Sequence, residues 1–554
     1  MNLVKFSAQT SNAALLEAPS SAPPAAASGA DTSAIDPLPS APLKIGFISL
    51  GCPKNLVDSE VMMGMLHHAG GELTSRAEDA DVLVVNTCSF IDSAKQESVN
   101  TILEMAQHKI ANGGRAQKLI VAGCLVERYR DEIQKNIPEV DAVIGTGELE
   151  AVLAAAGLAR PIAVSAPSPF RILTESELVD RAPSAVHTFS RPTPASNSAT
   201  TRHSPGAQPS RPEGDLREEQ GRFSREHWDG AIASLPNYLY TDETPRILTT
   251  PKSSAYIKIA EGCDHPCGFC IIPQLRGKFR SRRFESVVAE TENLVAQGVR
   301  EITLIGQDTT CYGEDFGLKD GLALLLDRLA GIEGVRWLRF LYAYPNKITT
   351  GLLETIAKHD NICKYLDVPL QHASPSVLKR MKRGGGGDIF LRTIAKARGI
   401  VPGLVLRTSF IVGFPGESDQ DFAELCTFVE HAQIDWLGVF TYSDEEGSPA
   451  FLLPGKVPQR TIDARRRKLM RLQQRISKRA KADWVGREID LLVEGESEET
   501  PLLWQGRTML HAPEIDGTVL INDFGPHDTL VPGTFYRARI TESHDYDVVA
   551  SILD

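Results

Sequence analysis

The sequence has no stretch that approaches the roughly 18 consecutive apolar residues of a membrane-spanning helix. It also lacks the apolar core of a secretion signal, because the Ala-Leu-Leu patch near its start is broken by Glu17. Excess positive charge is missing too: the formal net charge is −12, which excludes a wholly basic nucleic-acid coat protein. Nine cysteines, an odd number, do not suit a complete disulfide framework. We therefore expect a cytoplasmic protein in a reducing environment, with no membrane partner.

The 554 residues are too many for one domain, and composition divides them into five parts. Residues 1–43 are rich in Ala, Ser and Pro, and residues 165–240 are rich in Ser, Pro, Arg and Thr. Neither segment can bury enough apolar surface to offset its ordering entropy, so we predict a disordered N-terminal extension and a low-complexity insertion. The other parts, 44–164, 247–481 and 484–554, have the patterns of folded domains. Together they predict an α/β multidomain protein.

Residues 44–164 alternate short apolar strands with helical patterns. Lys44–Leu50, Asp81–Asn86 and Lys118–Ala122 are rich in β-branched residues and almost continuously apolar, which is typical of strands buried on both faces. A helical pattern follows each strand, at about residues 56–69, 91–107 and 126–135. This alternation predicts an N-terminal Rossmann-like parallel α/β domain.

Residues 247–481 contain six more strand and helix units. Six units in about 200 residues predict a partial (β/α)6 barrel of the TIM type, whose chemistry would lie at the carboxyl ends of its strands. The six strands are predicted at Ala255–Ile259, Glu301–Ile305, Trp337–Phe340, Tyr365–Val368, Val405–Ile411 and Trp436–Phe440.

The last part of the chain differs sharply in charge from the segment before it. Arg460–Lys481 has ten Lys or Arg against one acidic residue, and its apolar residues recur at helical spacing. We predict a solvated linker helix with one packed stripe, and a basic binding surface is the alternative. Residues 484–554 show short alternating strands and predict a small antiparallel β-barrel. This tail has fourteen Asp or Glu against four Arg, a formal charge of −10.

Three cysteines lie close together directly after the first strand of the predicted barrel. Cys263, Cys267 and Cys270, here called the barrel trio, have x3 and x2 spacing and share one tight loop. Three thiolates can hold a four-iron cluster while one iron stays open to a chelating ligand. A zinc site with His265 as the fourth ligand is the alternative, but zinc loops are seldom placed on the first strand of such a barrel. The pattern favours an iron–sulfur cluster.

A second set of three cysteines is spread over the first domain. Cys52, Cys88 and Cys124, here called the N-terminal trio, each stand at or just beyond the carboxyl end of a predicted strand. Because ligands gather outside those ends in parallel sheets, three successive strands would deliver three thiolates to one crevice. Unrelated buried cysteines are the alternative, but the equivalent positions favour a second cluster site. The remaining cysteines fit neither set and are expected to be buried spectators: Cys311, Cys363 and Cys426.

The pattern Cys-x3-Cys-x-Phe-Cys at the head of a six-unit barrel resembles the radical S-adenosylmethionine superfamily. Two cysteine trios followed by a small β-barrel resemble its methylthiotransferases in particular, which end in a TRAM domain. The resemblance covers about 44–160 and 250–554 and leaves out both low-complexity segments. Further motifs of that family are Gly51-Cys52-Pro53-Lys54-Asn55, Asp58-Ser59-Glu60, Asn86-Thr87-Cys88, Arg276-Gly277 and Gly413-Phe414-Pro415-Gly416-Glu417.

The resemblance implies two 4Fe–4S clusters and two molecules of S-adenosylmethionine. The catalytic cluster on the barrel trio would cleave one molecule to a 5′-deoxyadenosyl radical, and the cluster on the N-terminal trio would carry the sulfur that the other molecule methylates. Reduced flavodoxin or ferredoxin is the implied electron donor, and nothing demands more than a monomer. Phe269, Gln371 and Arg407 are the expected cofactor-binding residues, with packing or salt-bridge roles as alternatives for Gln371 and Arg407.

The methylthiotransferases divide between enzymes that modify an adenosine in tRNA and enzymes that modify an aspartate of ribosomal protein S12. Asp308 stands where the tRNA enzymes usually carry Asn, and Glu445-Glu446 stand where they tend to carry Arg-Pro. The segment Pro369–Ser374 also resembles the protein-modifying branch, and we expect Asp308 and His372 to contact substrate, although His372 could equally be a core histidine.

Charge points to the same branch. An acidic tail and the Glu445-Glu446 pair would repel phosphate, whereas they would suit a basic ribosomal protein. For this branch the resemblance implies conversion of the β-carbon of an S12 aspartate to 3-methylthioaspartate. The alternatives are a tRNA adenosine-37 methylthiotransferase and a non-enzymatic, zinc-stabilised protein that binds RNA or the ribosome.

Overall fold

The computed structural model describes residues 42–158, 170–171, 238–497, 500 and 502–554. The predicted disordered extension, 1–43, and the predicted insertion, 165–240, lie almost entirely outside the described residues. In these described ranges, no helix combines the length and the apolar character needed to cross a lipid bilayer.

The first domain is a parallel sheet of five strands in the order β2-β1-β3-β4-β5, which confirms the predicted parallel α/β class. The prediction lacked the two edge strands, which are three residues long and too short to show a pattern. The strands are β1 Lys44–Ser49, β2 Glu72–Thr74, β3 Val82–Thr87, β4 Lys118–Gly123 and β5 Ala142–Ile144. The helices are α1 Pro53–His68, α2 Asp92–Ala106, α3 Cys124–Asn136 and α4 Ala151–Ala156.

The six predicted parallel strands of the second domain are present as two sheets of three, in the orders β12-β11-β8 and β13-β14-β15. A single bridge between Leu338 and Ile362 links the second strand set to the first, so the partial barrel is confirmed. The strands are β8 Ser254–Lys258, β11 Glu301–Ile305, β12 Trp337–Phe340, β13 Tyr365–Asp367, β14 Val405–Val412 and β15 Trp436–Thr441.

Helices cover the outside of the partial barrel, and two pairs of short strands lie outside its two main sheets. The strands β6 Phe170–Arg171 and β7 Arg246–Ile247 pair in parallel, and β9 Ala260–Glu261 pairs with β10 Arg280–Ser281. The helices are α5 Ile272–Arg276, α6 Phe284–Ala296, α7 Gly321–Ala330, α8 Thr350–Lys358, α9 Pro375–Arg380, α10 Gly387–Ile400, α11 Asp419–Ala432 and α12 Gln459–Ala482.

The tail forms a closed barrel in the order β16-β17-β18-β20-β19. It was predicted as antiparallel, and four of its five strand pairs are, but β18 and β20 run in parallel. The reason is topological: an odd number of strands cannot alternate in direction all the way round a closed ring. The strands are β16 Glu488–Glu496, β17 Trp504–Arg507, β18 Val519–Asp523, β19 Phe535–Ser543 and β20 Val548–Ile552.

This C-terminal barrel packs against the amino ends of the partial-barrel strands. Buried Arg507 donates a hydrogen bond of 2.7 Å to Glu301, the first residue of β11. The hydroxyl of Tyr365, which begins β13, donates to Asp516 at 2.6 Å. The small barrel therefore closes the end opposite the carboxyl ends of the strands, and the carboxyl ends are left for the first domain.

Candidate active site

The N-terminal trio lies where three parallel strands end. Cys52 caps α1 after β1, Cys88 follows β3, and Cys124 opens α3 after β4. Gly51 has φ = +92°, and a Cβ there would lie 2.8 Å from Cβ of Cys88, so only glycine allows these two loops to approach so closely. Burial, together with the charges of Cys124 and Cys52, raises the pKa of Cys88 to about 12.

Asn55, one turn into α1, ties the three strand ends together. Its amide nitrogen donates to the carbonyl oxygens of Leu50 at 3.0 Å and Thr87 at 2.8 Å. Asn86 in turn donates to the carbonyl oxygen of Asn55 at 2.9 Å. All these groups are buried, so the network holds the cysteine loops in one geometry. The sequence analysis quoted Asn55 as part of a motif but gave it no role.

The barrel trio lies in the loop from β9 to α5, at the carboxyl end of the first barrel strand. Gly268 within the loop donates to the carbonyl oxygen of Met381 at 2.8 Å and accepts from the amide of Ala450 at 2.7 Å. Burial raises the pKa of both Cys263 and Cys270 to about 12, and neighbouring thiols of the trio add to the shift. Free thiols at these two positions would therefore stay protonated, and a bound metal is what would favour their thiolates.

Two donors already point at the sulfur atoms of this loop. The guanidinium of Arg383 donates to Sγ of Cys267 at 3.4 Å, and the backbone amide of Ile272 donates to Sγ of Cys270 at 3.4 Å. Such donors stabilise negative charge on sulfur. They were not identified from the sequence, since Arg383 is more than a hundred residues from the cysteines it contacts.

The donor sets fit iron–sulfur clusters better than single zinc ions. Sulfur ligands of one tetrahedral zinc would lie about 3.8 Å apart, given zinc–sulfur bonds of about 2.3 Å. Among the described residues, the one group of three possible ligands within 4.8 Å of one another is His265, Asp308 and Cys311, so neither trio is that compact. His265, the fourth ligand in the zinc alternative, is instead hydrogen-bonded to Asp308 at 2.6 Å and stacked on Tyr344.

The N-terminal trio lies at the interface between the domains, next to the segment that follows the barrel trio. Cys124 packs directly against Ile271 and Leu275, which flank the barrel trio on its C-terminal side. The hydroxyl of Thr146, in the first domain, donates to the carbonyl oxygen of Leu275 at 2.7 Å. Lys54, next to Cys52, places its ammonium 3.3 Å from the ring centre of Tyr342, just beyond β12. The first domain therefore covers the carboxyl end of the partial barrel.

Arg276, at the end of α5, connects the two sites. Its guanidinium donates to Sγ of Cys124 at 3.5 Å and to the side-chain oxygen of Asn55. The other nitrogen donates to Asp58 of the first domain at 2.7 Å and to Glu261, which precedes the barrel trio, at 3.3 Å. Arg276 is only 3% exposed, so one buried cation pairs with both domains.

A second buried cation completes this charged cluster. Lys258 pairs with Asp58 and, at 2.5 Å, with Glu261. Burial alone would raise the pKa of Glu261, but the charges of Lys258 and Arg276 outweigh it and hold that pKa at about 2. The two negative charges of the carboxylates, Asp58 and Glu261, are thus balanced by the two positive charges of Lys258 and Arg276 at the contact between the domains.

The structure separates the three predicted cofactor contacts. Phe269 is half-buried against the partial-barrel core, inside the cysteine loop. Gln371 lies beyond β13 with φ = +71°, a strained conformation for a residue with a Cβ. Its backbone N–H donates to the backbone carbonyl oxygen of Ser409. Arg407 pairs with Asp367 at 2.7 Å and lies 3.6 Å from Asp516 of the C-terminal barrel. Phe269 and Gln371 remain predicted cofactor contacts, and the salt-bridge alternative describes the surroundings of Arg407.

The structure also shows the surroundings of the two predicted substrate contacts and of the three cysteines outside the trios. His372 is fully buried, its Nδ1 accepts from the amide of Ser374 at 3.0 Å, and burial lowers its pKa to about 3, so it is a neutral core histidine. Asp308 is buried and accepts hydrogen bonds from His265 and from Cys311 at 3.1 Å. Of the three expected spectators only Cys363 is buried: Cys311 and Cys426 are partly exposed, so that expectation was wrong for them.

The Glu445-Glu446 pair has a different role from the one expected. Glu445 is not offered to a substrate: its side chain is 3% exposed and pairs with Lys95 at 3.0 Å and Arg128 at 2.8 Å, both in the first domain. Arg128 also donates to the carbonyl oxygen of Glu446 at 2.7 Å, and only the Glu446 side chain is exposed. Glu445 therefore holds the first domain over the partial barrel, which the local sequence could not show.

Glu445→Gln should loosen this contact, since it leaves two cations without their shared carboxylate and costs about 3 kcal/mol at the interface. We expect faster amide hydrogen exchange in the loop after Cys88 and in residues 443–448, measured by mass spectrometry, and lower turnover. Glu446→Gln is the matched control because its side chain is exposed. Equal exchange in both variants would show that Glu445 does not hold the domains together.

Three family models match successive parts of the chain. An uncharacterized protein family, UPF0004, matches residues 44–145, the radical SAM superfamily matches residues 257–429, and the TRAM domain matches residues 485–553. A solved radical S-adenosylmethionine methyltransferase, TsrM from Kitasatospora setae, covers 74% of this chain and 74% of its own length, with 16% identity and a TM-score of 0.46. The fold and the family matches define a radical S-adenosylmethionine enzyme, which works with S-adenosylmethionine and an iron–sulfur cluster.

Two relatives narrow the class. The ribosomal protein uS12 methylthiotransferase RimO of Koribacter versatilis is 65% identical over 512 residues, which are 92% of this chain and 97% of that relative. The protein of the same name from Solibacter usitatus is 54% identical, over 92% of this chain and 95% of its own. The chain belongs to the family of ribosomal protein uS12 methylthiotransferases.

Proposed function

We propose that this enzyme transfers a methylthio group to the β-carbon of an aspartate in ribosomal protein S12. The relatives that share about half to two thirds of its residues bear the name of that activity. The structural observation that carries the proposal is that the N-terminal trio packs against the segment that follows the barrel trio, where Arg276 contacts both Cys124 and Glu261. A substrate side chain between the two trios would be within reach of both cluster sites.

In this proposal Cys263, Cys267 and Cys270 hold one 4Fe–4S cluster, and Cys52, Cys88 and Cys124 hold a second. When bound, the two clusters and two molecules of S-adenosylmethionine supply the methylthio group and the radical that removes an unactivated hydrogen. Arg276 and Arg383 place positive charge beside the thiolates and so favour their ionised state. Phe269 and Gln371 border the site where the cofactor would lie.

The protein's own residues shield and orient the site. Asn55 fixes the three strand ends that bear the N-terminal trio, and the buried Asp58–Lys258 pair joins the two domains beside it. Glu445 closes the contact from the other side, through Lys95 and Arg128. Exclusion of water from this interface protects reactive species from side reactions.

The electron donor and the assembly are part of the proposal. Radical cleavage of S-adenosylmethionine consumes an electron, and reduced flavodoxin or ferredoxin is the class of donor proposed. A monomer is proposed because both trios, and the contacts that join them, come from one chain.

The test is anaerobic incubation of the iron-loaded enzyme with S12 and, separately, with tRNA. Mass spectrometry should show S12 gaining the mass of one methylthio group in place of hydrogen, on an aspartate, while tRNA stays unmodified. Modification of tRNA with S12 unchanged would refute the proposed substrate. Purified protein that contains zinc and no iron would refute the enzyme mechanism as a whole.

A further inference from the structure

The outer face of helix α12 carries a row of positive charge. Its apolar stripe is buried as predicted, at Ile462, Leu469, Leu472 and Ile476. On the opposite face, five exposed basic side chains recur at intervals of seven, four, four and three residues, which places them in line. These five residues, here called the basic ridge, are Arg460, Arg467, Arg471, Arg475 and Lys478.

Four of the five residues of the basic ridge have no carboxylate within 4.0 Å among the described residues. Within the described residues, Arg465 and Lys478 are the only basic side chains of α12 that lie within 4.0 Å of a carboxylate. The contact of Lys478, with Asp545, is 3.8 Å long and exposed. Like charges spaced at i and i+4 destabilise a helix, so folding alone does not explain the row. The whole chain is acidic, at −12, which makes this concentration of positive charge more distinctive.

The position of the ridge relates it to the active site. The first turns of α12 lie at the carboxyl end of β14: Ile462 fills the space beside Gly413, and Arg465 donates to the carbonyl oxygen of Glu417 at 3.1 Å. The last turns reach the amino end of β15, where Lys481 lies 3.6 Å from the ring centre of Trp436. From Arg460 to Lys478 the ridge spans about 27 Å along the helix axis. It therefore runs from the rim of the active site toward the C-terminal barrel.

We propose that the basic ridge binds the phosphate backbone of ribosomal RNA beside the substrate protein. A row of arginines fits a polyanion, because guanidinium groups pair with phosphate and displace its counterions. This inference rests on the proposed function: a ribosomal protein on its subunit is surrounded by RNA, and a contact beside the rim would position its aspartate at the active site.

The test uses the full-length, iron-loaded enzyme and the variant Arg467→Gln/Arg471→Gln/Arg475→Gln. Gln keeps high helix propensity and removes three charges. The matched control, Lys252→Gln/Lys319→Gln/Arg392→Gln, removes three exposed charges from other faces of the partial barrel. Binding to a fragment of small-subunit ribosomal RNA is measured by fluorescence anisotropy at several salt concentrations, and methylthio transfer is measured on free S12 and on intact small subunits.

We expect the ridge variant to bind the RNA fragment about tenfold or more weakly, with a salt dependence shallower by about two to three units of logarithmic slope. Its KM for intact subunits should rise by a similar factor, whereas its turnover of free S12 should match that of the parent enzyme and the control. Unchanged RNA affinity and salt slope would overturn the inference, as would equal losses on free S12 and on subunits. The RNA-binding measurement does not depend on enzyme activity. Failure of the proposed function would therefore be recognised separately, because the parent enzyme would transfer no methylthio group to free S12 or to intact subunits.

Discussion

Replacing one cysteine of either trio should remove about half of the bound iron. The parent enzyme is expected to hold about eight irons per chain with equivalent labile sulfide, and Cys267→Ala or Cys88→Ala should hold about four. The two variants should then differ in chemistry: Cys267→Ala should form no 5′-deoxyadenosine, whereas Cys88→Ala should still cleave some S-adenosylmethionine but transfer no methylthio group. Iron and sulfide analysis of anaerobically purified protein, with product analysis by mass spectrometry, gives both readouts.

Cys426→Ser is the matched control, since Cys426 is partly exposed and lies outside both trios. Its iron content and both activities should equal those of the parent enzyme. If Cys88→Ala kept the full iron content, the N-terminal trio would not be a cluster site. The proposal that the first domain holds a cluster would then be wrong, although the proposed cluster site of the barrel trio would not be affected.

Arg276→Met should be strongly destabilising and should change the properties of the N-terminal site. It leaves Asp58 and Glu261 with Lys258 as their remaining cation and removes the donor to Cys124, so we expect a loss of about 3 kcal/mol in the free energy of unfolding. Urea unfolding measures that loss. In the iron-loaded variant, the midpoint potential of one cluster should move to a more negative value, because a positive charge beside its thiolates has gone.

Arg276→Lys separates charge from geometry. It keeps the positive charge but cannot reach Asn55, Cys124 and the carboxylates at once. Compared with Arg276→Met, it should therefore regain part of the unfolding free energy and most of the shift in the cluster's midpoint potential. An unfolding free energy within about 1 kcal/mol of the parent value for Arg276→Met, with both midpoint potentials unchanged, would show that Arg276 does not couple the two sites.

Much of the architecture could be predicted from local patterns. Continuous apolar runs located β1, β3 and β4 to within a residue or two, because strands buried on both faces are usually apolar along most of their length. The strands β2 and β5 were not predicted because each has only three residues, which are too few to show a hydrophobic pattern. The acidic tail was recognised as a small barrel, but the parallel pairing of β18 with β20 depends on closure of the ring.

Some side chains of the candidate site could also be predicted from local sequence, and others could not. The six cysteines could be predicted as ligands because thiols are distinctive, three of them share one short loop, and the other three follow successive strands. The roles of Arg383 and Arg276 could not, since each contacts sulfur far away along the chain. Glu445 was misjudged as a surface charge because burial between two domains leaves no mark on the neighbouring residues.

The amino-acid sequence by itself indicated the kind of chemistry: three thiols after successive parallel strands and three in one loop after a single strand, because ligand type and strand position are local properties. Only the tertiary structure decided that the N-terminal trio packs beside the segment that follows the barrel trio, that one buried arginine bridges the two domains there, and that the C-terminal barrel lies at the opposite end. These arrangements arise from contacts between residues hundreds of positions apart, whose energies depend on how whole domains pack.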